Sequence, residues 1–326
     1  MNIVVASDSY KGTYSSVQIG ELVRDGLPDH DVSVVAVSDG GEGFCNAAMT
    51  ALGTRLVRTE VHDPLMRMIN TSYCIAPDGT AVIEMAQTSG LMLLREEERN
   101  PWLATTYGTG ELIRHALAQG CRRIVVGLGG SATNDCGMGM LKVLDDAEGL
   151  DECEFVVASD VKNPLCGNDG ATYVFARQKG ATEEMLPQLE HRNRLFGEEL
   201  ERRTGRNIID AIGAGAAGGT GAALLSLPHV IMCSGIDLML RWQHFDELLD
   251  SADMVVTGEG CLDSQTLMGK APYGIAMKAR GMNIPCVALC GQIGLTSDEL
   301  ESTPFTKAVT LSSFMLDPES LFPESM

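Results

Sequence analysis

Residues 3–43, IVVASDSYKGTYSSVQIGELVRDGLPDHDVSVVAVSDGGEG, decide the fold. A short apolar run, Ile3 to Ala6, is followed by a segment of helical period at 15–27 and by a second apolar run, Val32 to Val37. Short continuous runs rich in Val and Ile are typical of strands buried on both faces, and a strand, a helix and another strand in this order form the unit of a parallel sheet. The opening of the chain therefore predicts an α/β fold with helices on both faces of a parallel sheet.

The same rhythm returns further along the chain. Gly108 to Ala118 has the period of a helix, and the bare apolar run from Arg123 to Leu128 follows it as a predicted strand. Further strands are predicted at Met254 to Thr257, Cys286 to Cys290 and Lys307 to Leu311.

The middle of the chain behaves differently. Met68 to Ile75 and Thr80 to Met85 flank the turn signal Pro77-Asp78-Gly79, which predicts a β-hairpin. Strand-like runs follow between 151 and 176, and a long polar helix is predicted from Glu183 to Arg203.

We therefore expect one doubly wound α/β domain that is interrupted by a second α/β module. The predicted bounds are 1–61, 101–143 and 243–326 for the first domain, and 62–100 and 144–242 for the second.

Composition narrows the class of function. The chain has 326 residues, and its 24 Lys and Arg against 44 Asp and Glu give a formal charge of −20, which disfavours nucleic acid and anionic membranes as partners. Its ten cysteines form no CxxC pair, so we expect reduced core thiols. With no signal peptide and no apolar run long enough to span a membrane, we expect a cytoplasmic protein.

Glycines and acids follow four of the predicted strands. They occur in Ser7-Asp8-Ser9-Tyr10-Lys11-Gly12, in Ser38-Asp39-Gly40-Gly41-Glu42-Gly43, in Gly129-Gly130-Ser131-Ala132-Thr133-Asn134-Asp135 and in Thr257 to Thr266, which includes Glu259 and Asp263. Ligands of open parallel sheets bind beyond the carboxyl ends of the strands, so we expect these four loops to meet at one sheet edge.

Each residue type in these loops has a chemical use. Glycines let backbone N–H groups approach phosphate oxygens, whereas carboxylates need a cation such as Mg²⁺ between themselves and a phosphate. The combination indicates phosphoryl transfer, and Lys11 and Lys270 are candidate phosphate ligands. The alternative for any single loop is that Asp and Gly serve only as turn and cap residues.

Of two common nucleotide-binding motifs, one is absent from the sequence and the other occurs without the strand that normally precedes it. Gly269-Lys270 is followed by Ala271 and lacks the remaining residues of a P-loop. The run from Gly213 to Gly218 matches the GxGxxG of dinucleotide-binding folds, but the preceding run, Arg206 to Ile212, makes a poor buried strand. An NAD-dependent oxidoreductase is therefore the minor alternative.

Taken in order, the loops resemble the type I glycerate kinase family, together with further motifs over residues 1–293. These are Thr106-Tyr107-Gly108-Thr109-Gly110-Glu111, Ser159-Asp160-Val161-Lys162-Asn163-Pro164-Leu165, Gln178-Lys179-Gly180-Ala181, Gly213 to Gly219 and Gly269-Lys270-Ala271-Pro272.

The resemblance implies phosphorylation of D-glycerate by ATP with Mg²⁺, giving 2-phosphoglycerate. It also implies a discontinuous Rossmann-like parallel-sheet domain with a second, inserted α/β domain, and an active site in the cleft between them. A kinase of the same fold for another small hydroxy acid stays open, as does a homodimer. The family pattern usually carries more residues after Leu144 and a closing helix after Ser313, so this chain departs from it at both places.

The resemblance also assigns candidate roles. Catalytic candidates are Asp160, Asp263, Lys11 and Glu259, and either of the first two could be the base. Asp135 and Asp160 are candidate metal ligands, and Arg67 is a weak candidate for the glycerate carboxylate. The remaining candidates for substrate or phosphate binding are Asp8, Ser9, Asp39, Gly40, Gly41, Glu42, Gly129, Gly130, Ser131, Asn134, Gly215, Gly218 and Lys270.

Overall fold

The computed structural model describes residues 1–10, 13–38, 40–41, 43–264, 266–268 and 270–323. The chain divides into two compact units. Unit 1 comprises Met1–Ser38 and Ile236–Met326, and unit 2 comprises Asp39–Gly235. Unit 1 is therefore discontinuous, as predicted.

Unit 1 contains a five-stranded, wholly parallel sheet of order β13-β11-β9-β1-β2. Its strands are β1 (Asn2–Ser7), β2 (Asp31–Val34), β9 (Met254–Gly258), β11 (Cys286–Cys290) and β13 (Lys307–Thr310), and β10 (Cys261–Leu262) pairs separately with β12 (Gln292–Ile293). The helices are α1 (Ser16–Gly26), α9 (Gly235–Trp242), α10 (Phe245–Leu249), α11 (Ala271–Gly281), α12 (Ser297–Glu301) and α13 (Leu311–Leu316).

Strand β1 shows why this sheet is covered on both faces. Ile3 and Val5 pack into one apolar cluster, which includes Ile19 of α1. Val4 and Ala6 pack into another, which includes Ile275 of α11. Because successive side chains of a strand point to opposite faces, a fully apolar strand needs a helix on each side.

Unit 2 contains a six-stranded mixed sheet of order β3-β4-β5-β6-β7-β8. The strands are β3 (Arg55–His62), β4 (Met68–Ile75), β5 (Ala81–Glu84), β6 (Arg123–Gly127), β7 (Glu154–Ala158) and β8 (His229–Cys233). Its helices are α2 (Phe44–Leu52), α3 (Ala86–Ser89), α4 (Tyr107–Ala118), α5 (Met138–Leu144), α6 (Ala171–Phe175), α7 (Met185–Thr204) and α8 (Ala216–Leu225). β4 pairs antiparallel with both β3 and β5, and the pairs from β5 through β6 and β7 to β8 are parallel.

Several predicted elements are confirmed. β4 and β5 form the expected hairpin around Pro77-Asp78-Gly79, and the polar helix is α7. The region 151–176 is only partly extended, because β7 is followed by the short helix α6.

The predicted domain bounds are wrong at β6. This strand pairs with β5 and β7, so residues 101–143 belong with the hairpin in unit 2 and not with the N-terminal strands. For the same reason the four glycine-rich loops do not share one sheet edge: β1, β2 and β9 lie in the sheet of unit 1, and β6 lies in that of unit 2. Apolar runs indicate strands but do not specify which strands pair.

All ten cysteines are free thiols, and eight of them are buried, as the spacing predicted. Among the described residues, no helix combines the length and apolar character that crossing a membrane requires.

Candidate functional site

In unit 1 the candidate site lies at the carboxyl ends of β1 and β9. The two strands are parallel neighbours, with Ser7 opposite Gly258, so Asp8 and Glu259 leave the sheet side by side. The backbone fixes this arrangement, because the N–H of Asp8 donates to the carbonyl of Gly258 at 2.8 Å. Asp8 in turn accepts a bond from the N–H of Ser9 at 2.7 Å.

Glu259 is the centre of a polar network. Its carboxylate is nearly buried and accepts from the Thr266 hydroxyl at 2.6 Å and from the Lys270 ammonium at 3.1 Å, one bond to each oxygen. Asp263 is more open, with a side chain 37% exposed, and its Oδ1 lies 3.9 Å from Lys270 Nζ. The N–H of Thr266 also donates to the Asp263 carboxylate at 3.2 Å, and the Thr266 hydroxyl oxygen accepts from the N–H of Asp263 at 3.0 Å.

Gly258 brings the loop close to the sheet. A Cβ on this residue would lie 1.6 Å from the carbonyl oxygen of Leu289, so only glycine fits between β9 and β11. The Tyr10 hydroxyl donates to the same Leu289 carbonyl and anchors the loop after β1. The position of Glu259 is therefore determined by packing as well as by hydrogen bonds.

Three predicted site residues, Lys11, Asp39 and Glu42, lie outside the described residues. Gly40 and Gly41 are described and buried, and both belong to unit 2. Gly40 has a positive φ of 94°, and a Cβ there would meet the Ala158 carbonyl at 2.5 Å. Close packing against β7 thus explains this glycine.

In unit 2 the candidate site is the loop from Gly129 to Asp135, which leaves the carboxyl end of β6. Part of its backbone is bonded to the rest of the unit. The N–H groups of Gly129, Ala132 and Cys136 donate to Gly40, Ser89 and Gly218 respectively, and Gly130 accepts from Leu91. These amides are therefore not available to a phosphate.

Asp135, a predicted metal ligand, organises the start of two helices. One of its oxygens accepts from the N–H and hydroxyl of Thr106, both at 2.9 Å, and from the N–H of Gly139, while the other accepts from the N–H of Gly137. A carboxylate that caps α4 and α5 in this way is stabilised by helix N-terminal amides. The geometry explains Asp135 without a metal ion.

Lys179 lies beneath the same loop, and the sequence did not single it out as a site residue. Its side chain is 3% exposed, and its ammonium donates to the Ser131 hydroxyl and to the Thr133 carbonyl, both at 2.8 Å. Burial lowers the pKa of Lys179 to about 7, against a smaller opposing effect of Asp135. The available signal was its place before Gly180 in an ordered family motif.

Three further predictions have no support in this geometry. Asn134 is fully buried; its side-chain N–H donates to Thr172, and its Oδ1 has no hydrogen-bond partner among the described residues. Gly215 donates its N–H to Asn163, and a Cβ on it would meet the Pro164 carbonyl at 2.2 Å. A Cβ on Gly218 would meet the Thr133 carbonyl at 2.0 Å. Tight packing therefore explains these glycines.

The GxGxxG run also lacks the context of a dinucleotide site. The residues before it, 205–212, form turns and irregular backbone after α7 and no strand. Since the dinucleotide fingerprint requires a strand directly before the first glycine, this region gives no support to the oxidoreductase alternative.

Arg67 is held by acids of its own unit. Its guanidinium donates to Asp63 at 2.5 Å and to Glu98 at 2.9 Å. These carboxylates raise the pKa of Arg67 and already balance its charge. The geometry does not support the role predicted for it with glycerate.

Asp160 lies directly after β7, at the carboxyl end of a parallel strand, and is partly buried. Among the described residues there is no cluster of three or more His, Cys, Asp or Glu side chains that could bind a metal ion by itself. Magnesium in kinases is held by one or two carboxylates and by substrate phosphates, so single carboxylates such as Asp160 fit it.

Comparisons with known proteins agree with these features. A model of the glycerate kinase family matches residues 3–146 and 144–325. The chain is 40% identical to a glycerate kinase of Haemophilus influenzae over 89% of this chain and 86% of that protein. It is 37% identical to the glycerate 2-kinase of Escherichia coli, over 90% of this chain and 86% of that protein.

A solved structure agrees as well. A crystal structure from Salmonella typhimurium LT2, described as glycerate kinase 2, superposes with a TM-score of 0.80 at 36% identity, over 95% of this chain and 90% of the other. The family match and these relatives cover both units. The chain therefore belongs to the glycerate kinase family.

Proposed function

We propose that this protein transfers the γ-phosphoryl group of ATP to the 2-hydroxyl of D-glycerate and releases ADP and 2-phosphoglycerate. The observation that carries the proposal is the network of Glu259, Thr266, Lys270 and Asp263 at the carboxyl ends of β1 and β9. It combines a half-exposed acid with a cation, as transfer from an anionic donor to a hydroxyl requires. The names of the Escherichia coli and Haemophilus influenzae relatives support the substrate.

Asp263 is the base in this proposal. Its side chain is 37% exposed and can reach a substrate hydroxyl, whereas that of Glu259 is 12% exposed and holds Thr266 and Lys270. Asp263 accepts the proton of the 2-hydroxyl as that oxygen bonds to phosphorus. The bond from phosphorus to the bridging oxygen of ADP breaks in the same transfer.

Lys270 supplies positive charge to the transferring group. Its side chain is 40% exposed, and Glu259 holds the ammonium at 3.1 Å. Glu259 is then a positioning residue, because it acts through Lys270. Most of the rate enhancement of a kinase comes from such positioning and charge stabilisation.

Mg²⁺ fits the carboxylates of this chain as a companion of ATP. Asp160 would hold it, and the ion would supply charge screening of the phosphates.

A kinase for another small hydroxy acid is the nearest rival, because one side chain near the substrate can change specificity without changing these loops. ADP release measured with D-glycerate, L-glycerate, tartronate and hydroxypyruvate separates the two. We expect release only with D-glycerate, ATP and Mg²⁺ together. A higher kcat/KM with tartronate, or no release with any of the four, would refute the proposal.

A further inference from the structure

Strand β3 is an edge strand of the sheet in unit 2. It pairs with β4 over all 8 of its residues without a bulge, and no other described strand pairs with its outer side. Proteins commonly protect an edge by keeping it short, by a bulge or by a proline, and β3 has none of these features. The edge is therefore long and regular enough to pair with another strand.

The hydrogen-bonding groups on the outer side of β3 belong to alternate residues. The N–H of His62 is directed away from β4 and donates to Glu111 at 2.7 Å. Every second residue of an antiparallel strand directs its N–H and C=O groups to the same side, so Glu60 and Arg58 direct theirs outward as well. Among the described residues, neither of these two has a backbone hydrogen bond on that side.

The same two residues carry opposite charges. Arg58 and Glu60 are both exposed and lie on one face of the sheet, two residues apart. Neither forms an ion pair in the described part of the chain, whereas Arg67 in the turn of the same hairpin forms two. Exposed charges on an edge repel a strand of like charge, but they favour a strand on which the signs are reversed.

A second copy of β3 is such a strand. When two copies run antiparallel about a twofold axis at Thr59, Arg58 of each copy lies opposite Glu60 of the other. The outward N–H and C=O groups of both residues then form hydrogen-bonded pairs. A shift to either neighbouring register that keeps these bonds would place Arg58 opposite Arg58 or Glu60 opposite Glu60. The charges therefore select one register.

Exposed apolar side chains flank these charges. Leu56 is 41% exposed and Met68 is 58% exposed, and both lie on the face that carries Arg58 and Glu60. In the selected register Leu56 lies opposite His62 of the other copy, which pairs with Met68 within its own hairpin. The pairing thus brings an exposed leucine and an exposed methionine into one cross-strand row at each end of the interface.

We propose that two copies of this chain form a dimer through antiparallel pairing of their β3 strands, centred on Thr59. The sheets of the two copies then join into one continuous sheet, with two Arg58–Glu60 ion pairs across the twofold axis. This association does not depend on the proposed phosphoryl transfer, because none of these residues belongs to the candidate sites.

Sedimentation velocity of the full chain tests this interface. We expect a dimer for the wild type. Arg58→Glu places an acid opposite Glu60, and Glu60→Arg places a base opposite Arg58, so each change should raise the dimer dissociation constant at least ~10-fold. Lys142→Glu reverses the charge of an exposed lysine of α5 in the same unit, and this matched control should leave association unchanged.

Mixing the two single variants separates loss of charge complementarity from loss of folding. One variant then carries two acids at the edge and the other two bases, so the mixture should form a heterodimer although neither variant dimerises alone. The double variant Arg58→Glu, Glu60→Arg should regain the wild-type dimer. A monomeric wild type, a dimer that neither reversal weakens, or a mixture that does not associate would overturn the proposal.

Discussion

Each unit places a lysine ammonium against the loop that follows a parallel strand, but the two electrostatic settings are opposite. In unit 1, Lys270 is 40% exposed and lies 3.1 Å from Glu259 and 3.9 Å from Asp263. In unit 2, Lys179 is 3% exposed and bonds only to neutral oxygens, those of Ser131 and Thr133.

The difference predicts different consequences when the two loops are altered. Lys270 is balanced by acids of its own loop, so that loop can offer both a base and a cation to a reaction. Lys179 is buried with neutral oxygens as its hydrogen-bond partners, so its positive charge is costly to keep. Removing the acid from unit 1 should therefore affect turnover, and removing the lysine from unit 2 should change how stability depends on pH.

The largest expected effect is on the acid of unit 1. Asp263→Asn should lower kcat by roughly 10²- to 10⁴-fold, because the amide cannot accept the proton of the hydroxyl. Calorimetry should show ATP and glycerate still binding within a few-fold of wild type. Asp160→Asn is the companion variant and should instead raise the Mg²⁺ concentration that half-maximal activity requires. Full activity of Asp263→Asn would reject this residue as the base.

The next largest effect is expected on stability, at the glycine that lets the loop of unit 1 lie close to the sheet. Gly258→Ala inserts a Cβ 1.6 Å from the Leu289 carbonyl and should lower the free energy of unfolding by about 3 kcal/mol or more. Gly260→Ala is the matched control, since the nearest atom to its Cβ would be Tyr10 Cα at 3.8 Å. Urea denaturation compares the two, and equal stability would contradict the close approach of the strands.

The unbalanced charge of unit 2 predicts a dependence of stability on pH. Burial lowers the pKa of Lys179 from 10.5 to about 7, so between these values the unfolded chain binds more protons than the folded chain. The stability of the wild type relative to Lys179→Met should therefore rise with pH above about 7, by up to about 1.4 kcal/mol per pH unit. Urea unfolding at pH 7 and 9 measures this difference, and a flat or falling difference would mean that the ammonium is not desolvated.

The smallest effect is expected at a surface arginine of unit 2 whose charge is already balanced. Arg67→Gln removes the ion pairs of a half-exposed guanidinium with the buried Asp63 and with Glu98. Because Asp63 keeps the backbone N–H donors of Leu65 and Arg67, the change should cost only about 1 kcal/mol of stability. KM for glycerate should stay within about twofold of wild type. A rise well beyond twofold would instead support Arg67 as the carboxylate ligand.

Local structure was largely readable from the sequence. The apolar runs at Ile3 to Ala6 and Cys286 to Cys290 are strands of a parallel sheet, and the turn at Pro77-Asp78-Gly79 joins a hairpin. Which strands pair with each other could not be predicted from the sequence. The run at Arg123 to Leu128 has the composition of the N-terminal strand, yet it pairs with β5 and β7 in the other sheet.

The candidate site could be predicted only in part from the sequence. Asp8, Glu259, Asp263 and Lys270 lie at the strand ends where the loops predicted them. Gly215 and Gly218 contact backbone carbonyls, because a glycine that admits a phosphate and one that admits another segment look alike in sequence. Lys179 was missed, since nothing local marks a lysine in a short turn as buried.

The identity of the product tests the central claim most directly. Phosphorus NMR of the product formed from D-glycerate and ATP distinguishes the two hydroxyls, because the 2-position carries one hydrogen and the 3-position carries two. We predict a phosphate ester signal split into a doublet by the single C2 proton. A triplet from the C3 protons, or no ester signal at all, would contradict phosphorylation at the 2-hydroxyl.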